Sequence, residues 1–210
     1  MDELLEGGRE AIYREGNYVL RPAQPWTEHV HRFLKYLHSK GFDKAPYPIQ
    51  IDRDGTEKLS YVEGNVYNEL LPDEVRSDAA LISFCYLMKQ FHDIGEEYIE
   101  TLTGKEAWML PLRTPIETMC HGDLAPYNIA MEGTKAVGMI DFDTLHPGPR
   151  LWDIGYSLYR WIPLMSPDNP ENFGSEADKR RRLQLFLHTY GLKDSNSEGV
   201  IETVSVKPYA

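Results

Sequence analysis

The chain has 210 residues, 41% hydrophobic and 26% charged, which bounds it to one domain or two tightly joined lobes with material for a real core. A net charge of −11 argues against a nucleic-acid surface, which needs clustered Lys and Arg, whereas an acidic cleft would draw a cationic ligand. There is no basic leader, no zinc spacing and no apolar run long enough to cross a bilayer, so a cytoplasmic protein without a membrane partner is expected, with Cys85 and Cys120 as buried free thiols.

In chain order, the alternation in 11–14 and 18–21 around Glu15-Gly16-Asn17 predicts a hairpin. Pro22 to Trp26 is a connector, after which Thr27 is expected to cap a helix that Gly41 stops. Its apolar stripe is Val30, Phe33, Leu34 and Leu37, which leaves His31 and His38 as surface or interlobe residues. Two strands are predicted at 49–51 and 58–62 around a turn at 52–56. Ser77 is read as the cap of a long helix ending near Gly95, with Leu81, Phe84, Cys85, Met88 and Phe91 inward and His92 as a core or capping histidine. Residues 96–115 read as a connection.

The most informative stretch is at residues 116–143. Apolar runs at 129–131 and 136–140 flank Glu132-Gly133-Thr134-Lys135, the signature of a tight antiparallel hairpin. Asn128 then precedes the first strand and Asp141 comes just after the second, so the two are expected to face each other across roughly 5 Å of backbone. A third apolar approach at 116–120 delivers His121-Gly122-Asp123 to the same place. An amide oxygen and carboxylates form a hard-oxygen set suited to Mg²⁺. Asn128 and Asp141 are the candidate metal ligands and Asp123 the candidate base that takes a proton from an attacking hydroxyl.

Beyond the hairpin, prolines and a glycine at 144–153 predict an ordered loop without regular structure. Asp153 is read as a helix cap that also holds the catalytic loop from behind. A helix is expected at 153–164, and another at 175–190 ended by Gly191, with Lys179-Arg180-Arg181-Arg182 as a solvated face. Residues 200–206 turn apolar and alternating.

His121-Gly122-Asp123-Leu124, Asn128 and Ile140-Asp141-Phe142-Asp143, in this order, resemble the catalytic and metal-binding motifs of aminoglycoside phosphotransferases and choline-kinase-like small-molecule kinases. The resemblance implies an α+β, two-lobed, protein-kinase-like fold. Residues 1–63 would form a small antiparallel-sheet lobe for the nucleotide, and 64–210 a mainly helical lobe for catalysis and substrate. It implies ATP, or GTP, with Mg²⁺ as cofactors and a small-molecule hydroxyl acceptor. Gly7 and Gly8 fall where a glycine loop would cover phosphates, and Arg21 falls near the usual phosphate-contacting Lys. Tyr61 and Val62 fall in the linker whose backbone would bind a purine edge. The motif is incomplete here, because no full Gly-x-Gly-x-x-Gly is present and the 27–41 helix carries no mid-helix Glu to pair with Arg21. His121 is expected to fix the loop or act as an acid, and Asp143 to assist the metal or line the acceptor site. Two rival functions are weighed: a non-catalytic nucleotide-binding or immunity protein on the same scaffold, and a metal-dependent phosphoesterase. The hairpin supplies too few ligands for the two-metal centre the second would need.

Overall fold

The computed structural model describes residues 3–5, 11–68, 70–164, 169 and 171–192. Period-two alternation and the turn at Gly16, whose φ is 60°, build the hairpin of β2 (Ile12–Glu15) and β3 (Tyr18–Pro22). A short strand that the sequence did not announce, β1 (Glu3–Leu5), pairs antiparallel with β2. Helix α1 (Thr27–Ser39) crosses next, followed by β4 (Pro48–Ile51) and β5 (Thr56–Ser60). The second of these begins and ends about two residues before its predicted span, because Tyr61 and Val62 already belong to the linker. The five strands form one antiparallel sheet in the order β1-β2-β3-β5-β4.

Two details of α1 depart from the expectation. Thr27 is its first residue rather than its cap, and its Oγ1 accepts the Gln24 amide at 2.8 Å. His31 is buried against Glu57 of the sheet, rather than lying at a surface or between the lobes. The apolar stripe Val30, Phe33, Leu34 and Leu37 packs inward as predicted, with Phe33 edge-on to Phe91 at 5.7 Å between ring centres.

The second lobe is organised by α3 (Asp78–Ile99), preceded by the single turn α2 (Asp73–Arg76). Ser77 caps α3 by accepting the Ala80 amide at 3.2 Å. The helix runs past Gly95, so that glycine is no stop signal. A Cβ there would lie 2.5 Å from Thr118 Oγ1, and the missing side chain lets the helix lie directly on strand β6 (Thr118–Cys120). Strands β7 (Ile129–Glu132) and β8 (Lys135–Met139) form the hairpin around Gly133, whose φ is 58°.

The loop expected after it contains a strand, β9 (His146–Gly148), paired antiparallel with β6. Pro147 is tolerated because the pairing is only three residues long and lies at a sheet edge. Helix α4 spans Arg150–Trp161, starting before Asp153, and α5 spans Glu176–Tyr190 with a Ser175–Asp178 capping box and Gly191 in the left-handed region at φ 89°. Trp161 stacks on Phe84 at 4.3 Å, joining α4 to α3.

The basic run on α5 is a solvated face only in part, at the exposed Arg180 and Arg181. Lys179 and Arg182 are buried, and Arg181 and Arg182 both bond Asp78 at the start of α3. Residues 193–210, including the apolar stretch at 200–206, lie outside the described residues. Among the described residues no helix is long and apolar enough to cross a membrane.

The linker between the lobes is seated on the β7–β8 hairpin. Asn65 and Met131 exchange both backbone hydrogen bonds at 2.9 Å, and Met139 donates to the Lys44 carbonyl at 2.8 Å. A Cβ on Gly138 would lie 2.3 Å from Val62 Cγ1, closer than any real contact. Gly138→Ala should therefore cost about 1–3 kcal/mol, the usual penalty for overpacking. Denaturant unfolding checks this: an unchanged midpoint would mean that linker and hairpin are not pressed together as described.

Candidate functional site

The site is assembled on a loop whose backbone is held by one buried carboxylate. Asp153, in the first turn of α4, accepts the His121 amide through Oδ2 and the Gly122 amide through Oδ1, each at 2.7 Å. It does not cap its own helix, whose N-terminal position is Pro149. His92 Nε2 lies 3.2 Å from the same carboxylate, and its Nδ1 is 2.6 Å from the Tyr190 hydroxyl. Burial pushes the His92 pKa down, so the ring is a neutral donor to Asp153 and an acceptor from Tyr190.

Gly122 has φ 86°, and a Cβ there would lie 2.7 Å from the Thr144 carbonyl oxygen. Only glycine meets both demands. His121 is fully buried, with Nε2 3.0 Å from the Ile140 carbonyl and its own carbonyl taking the Thr144 hydroxyl at 2.7 Å.

Asp123 comes next, half-buried, with both carboxylate oxygens engaged. Tyr127 donates its hydroxyl to Oδ1 at 2.7 Å, and Asn128 Nδ2 donates to Oδ2 at 3.1 Å and to the Asp123 carbonyl at 2.9 Å. Tyr127 also shares a 2.7 Å hydrogen bond with the Tyr156 hydroxyl. Burial first, then the charge of Asp123, pushes the Tyr127 phenol up to about 12 and raises Tyr156 as well. Both phenols therefore stay protonated donors. A carboxylate offers about four lone-pair sites, so these bonds leave room for a further hydroxyl.

The hairpin does not pair Asn128 with Asp141. Its register shifts between Ala130 and Met131, and Asn128 instead accepts the amide of Ile140 at 3.0 Å. The irregularity adds one residue to β8 and moves the partner of Asn128 from Met139, where a regular ladder would put it, to Ile140, still one residue short of Asp141. Asp141 comes next in the chain, exposed and left-handed at φ 59°, the one described non-glycine residue with positive φ. Asp123 and Asn128 thus touch directly, while Asp141 is joined to them through Ile140, which also anchors His121.

Arg21 enters from the other lobe. Its Nη2 lies 2.8 Å from Asp143 Oδ1, its Nη1 lies 3.5 Å from Asp141 Oδ1, and its Nε lies 2.5 Å from Glu57 Oε2. Glu57 Oε1 in turn lies 2.7 Å from His31 Nε2. Burial alone would lower the Arg21 pKa, but the charges of Glu57 and Asp143 hold it above its ordinary value. Glu57 is only 1% exposed; burial would raise its pKa, but the His31 hydrogen bond and the Arg21 charge bring it below the usual range. For Asp143 burial prevails over the Arg21 charge and the carboxyl is raised.

Tyr61 and Val62 lie in the linker, where the Tyr61 amide donates to the Asn17 carbonyl at 2.8 Å and the Arg14 guanidinium lies 3.6 Å from the centre of the Tyr61 ring. Gly7 and Gly8 lie outside the described residues. Sequence reasoning missed Glu57, the inward turn of His31 and the tyrosine pair. Glu57 faces Arg21 only because β3 pairs with β5, and those strands are separated by a helix and another strand. Tyr127 was reachable, since it lies four residues after Asp123, between that residue and Asn128.

Among the described residues, no group of three or more His, Cys, Asp or Glu side chains is arranged to hold a metal ion. Asn128 and Asp141 are a sparse hard-oxygen pair, which fits Mg²⁺ when phosphate and water supply its other ligands. Both Asn128 side-chain bonds use the amide nitrogen and leave the oxygen type that such a cation prefers.

Residues 85–186 match the model of the phosphotransferase enzyme family. The chain is 28% identical over 207 residues to the trifolitoxin immunity protein of Rhizobium leguminosarum bv. trifolii, covering 95% of this chain and 77% of that protein. Its fold is similar to that of an aminoglycoside phosphotransferase of Streptomyces rimosus solved with ADP and streptomycin, at 15% identity and a TM-score of 0.62, over 97% of this chain and 91% of the other. It is also similar to the amicoumacin kinase hAmiN solved with AMP-PNP, Ca²⁺ and its ligand Ami, at 12% identity and a TM-score of 0.66, over 97% and 77% of the two chains. The fold is the two-lobed, protein-kinase-like one of the aminoglycoside phosphotransferases.

Replacing Asp153 by Ala should orphan two buried backbone N–H groups and the His92 ring. A cost of about 3 kcal/mol or more is expected, since each unpaired buried donor carries about 1–3 kcal/mol. Equilibrium unfolding tests it; a loss below about 0.5 kcal/mol, within the range of ordinary surface substitutions, would remove Asp153 from this role.

Proposed function

We propose that the protein transfers the γ-phosphoryl group of ATP, or GTP, to a hydroxyl of a small molecule. The observation that carries this reading is the contact of Asp123 with Asn128, beside an Asp141 joined to them through the Ile140 backbone. The family match over the segment that contains all three residues supports it. Asp123 takes the acceptor hydroxyl proton, while Tyr127 and Asn128 fix the rotamer of its carboxylate. His121 acts by holding the loop, because its ring is buried and bonded to the Ile140 carbonyl.

Asn128 and Asp141 are the residues that would hold Mg²⁺, and Asp143 would support that site through Arg21. Arg21 would contact phosphate as a two-pronged donor, Gly7 and Gly8 are assigned to the phosphates by the family resemblance alone, and the linker backbone at Tyr61 and Val62 would lie against the base. A bound Mg²⁺–nucleotide supplies the phosphoryl group and neutralises charge on it. The chain's own contribution is then positioning rather than covalent chemistry. Residues 1–63 and 64–210 are assigned as the nucleotide lobe and the catalytic lobe.

The acceptor class we favour is a cationic, hydroxyl-bearing compound such as an aminoglycoside or amino alcohol, drawn by the net charge of −11. A cytoplasmic setting accords with the use of ATP. A second reading is favoured by the relative named an immunity protein: protection against a toxin, either by phosphorylating it or by binding it without transfer.

Two measurements decide between these readings. Thermal melting with Mg²⁺ and ADP or AMP-PNP should raise the transition temperature, as any ligand of the folded state does. Asp123→Asn should then lower turnover about 10²–10⁴-fold, the range for a lost general base, while the nucleotide-induced shift persists. Unchanged turnover in Asp123→Asn ends the base assignment. Nucleotide binding with no transfer to a broad acceptor panel supports protection by binding alone.

A further inference from the structure

The geometry points to Glu57 of β5, together with His31 of α1, as the positioning residues that orient Arg21 toward nucleotide phosphate. This rests on the nucleotide-binding reading above and extends it to residues that lie in neither the catalytic loop nor the hairpin.

The need for such a pair is physical. Arg21 carries five donors, and its side chain is only 12% exposed. An arginine in that setting is drawn to whichever carboxylates surround it, and Asp143 and Asp141 lie on the far side, at 2.8 Å and 3.5 Å. Both Nη groups already meet those carboxylates, so without an anchor behind it Nε would be free to swing toward them as well and the direction of the guanidinium would be lost. Helix α1 offers no carboxylate for that anchor, since its acidic residue is Glu28 in the first turn. Strand β5 supplies it instead. Arg21 and Glu57 are direct partners in the β3–β5 register, and Glu57 Oε2 holds Arg21 Nε, leaving both Nη groups directed at the site.

The other oxygen of Glu57 is held by His31 at 2.7 Å, so both oxygens of a side chain that is 1% exposed are engaged. His31 is itself only 7% exposed and sits on the face of α1 that packs inward. The helix therefore reaches the cation at second hand, through an imidazole and a strand carboxylate. This accounts for a helix that lacks a central acidic residue and for a histidine on its buried side.

The sign of the effect discriminates orientation from simple electrostatics. Removing an anion beside Arg21 should strengthen phosphate binding if charge alone mattered, and weaken it if the anion's task is to aim the guanidinium. Glu57→Gln keeps the shape and removes the charge. Calorimetric titration with AMP-PNP and Mg²⁺ should show affinity about tenfold or more lower than the unsubstituted protein, the scale of one lost charge-assisted hydrogen bond. The double variant Glu57→Gln/His31→Glu moves the carboxylate onto the helix and should recover most of that loss, which no general loss of stability would do.

A second readout needs no nucleotide. The Arg21 Nε–H, identified by its absence in Arg21→Lys, should give a slowly exchanging NMR resonance at neutral pH, lost in Glu57→Gln and regained in the double variant. Equal or tighter AMP-PNP binding by Glu57→Gln overturns the proposal, as does rapid exchange of Arg21 Nε–H in the unsubstituted protein. If the unsubstituted protein binds no nucleotide, the phosphotransferase reading fails instead, and the exchange measurement still decides whether Glu57 holds Arg21.

Discussion

A buried carboxylate must be satisfied completely or not be there, and the larger lobe is built around one such group, Asp153. Its two oxygens take the backbone amides of His121 and Gly122, and the neutral His92 ring completes its shell. Those bonds join α4, α3 and the 121–123 loop at one point inside the core. Strained features nearby become tolerable because this point is rigid: Gly122 is left-handed against Thr144, and Asp141 has positive φ after a hairpin whose register has slipped by one.

A second electrostatic junction joins the lobes. Arg21 reaches from the sheet to Asp141 and Asp143, while Glu57 and His31 grip it from behind. The arrangement places one cation among three carboxylates: the carboxylate charges raise Arg21, the His31 bond and the Arg21 charge lower Glu57, and burial raises Asp143 against the pull of Arg21. The backbone contacts between linker and hairpin set the distance across which this junction works. Gly64 and Gly138 permit it, since a Cβ at either would meet a neighbour within 2.9 Å.

Legibility differed between elements for identifiable reasons. The β2–β3 hairpin, α1, α3 and α5 announce themselves through period and punctuation: alternation about Gly16, the Val30–Phe33–Leu34–Leu37 stripe, the Ser77 cap and Gly191. Local chemistry misleads where a residue type serves a tertiary purpose. Gly95 looks like a stop but is a point of close packing, and Pro147 looks like a breaker but sits in a short edge strand. Lys179 and Arg182 look like solvent-facing charge but are buried, with Arg182 paired to Asp78 on a helix about a hundred residues earlier. In the site, the loop, the hairpin and the proximity of Asp123 to Asn128 were readable from spacing of a few residues. The slipped register was not, because a bulge depends on what packs against the strand.

From the order of its residues alone, this chain determined that Asp123 and Asn128 come together and that the strands after them fold back as a hairpin, since five-residue spacing and a tight turn leave few other arrangements. It determined equally that α1 has no central carboxylate to offer. Tertiary structure alone decided what holds Arg21, because strands β3 and β5 become neighbours only when the sheet closes, and a charge as deeply buried as Glu57 is stable only where two separate elements supply its partners.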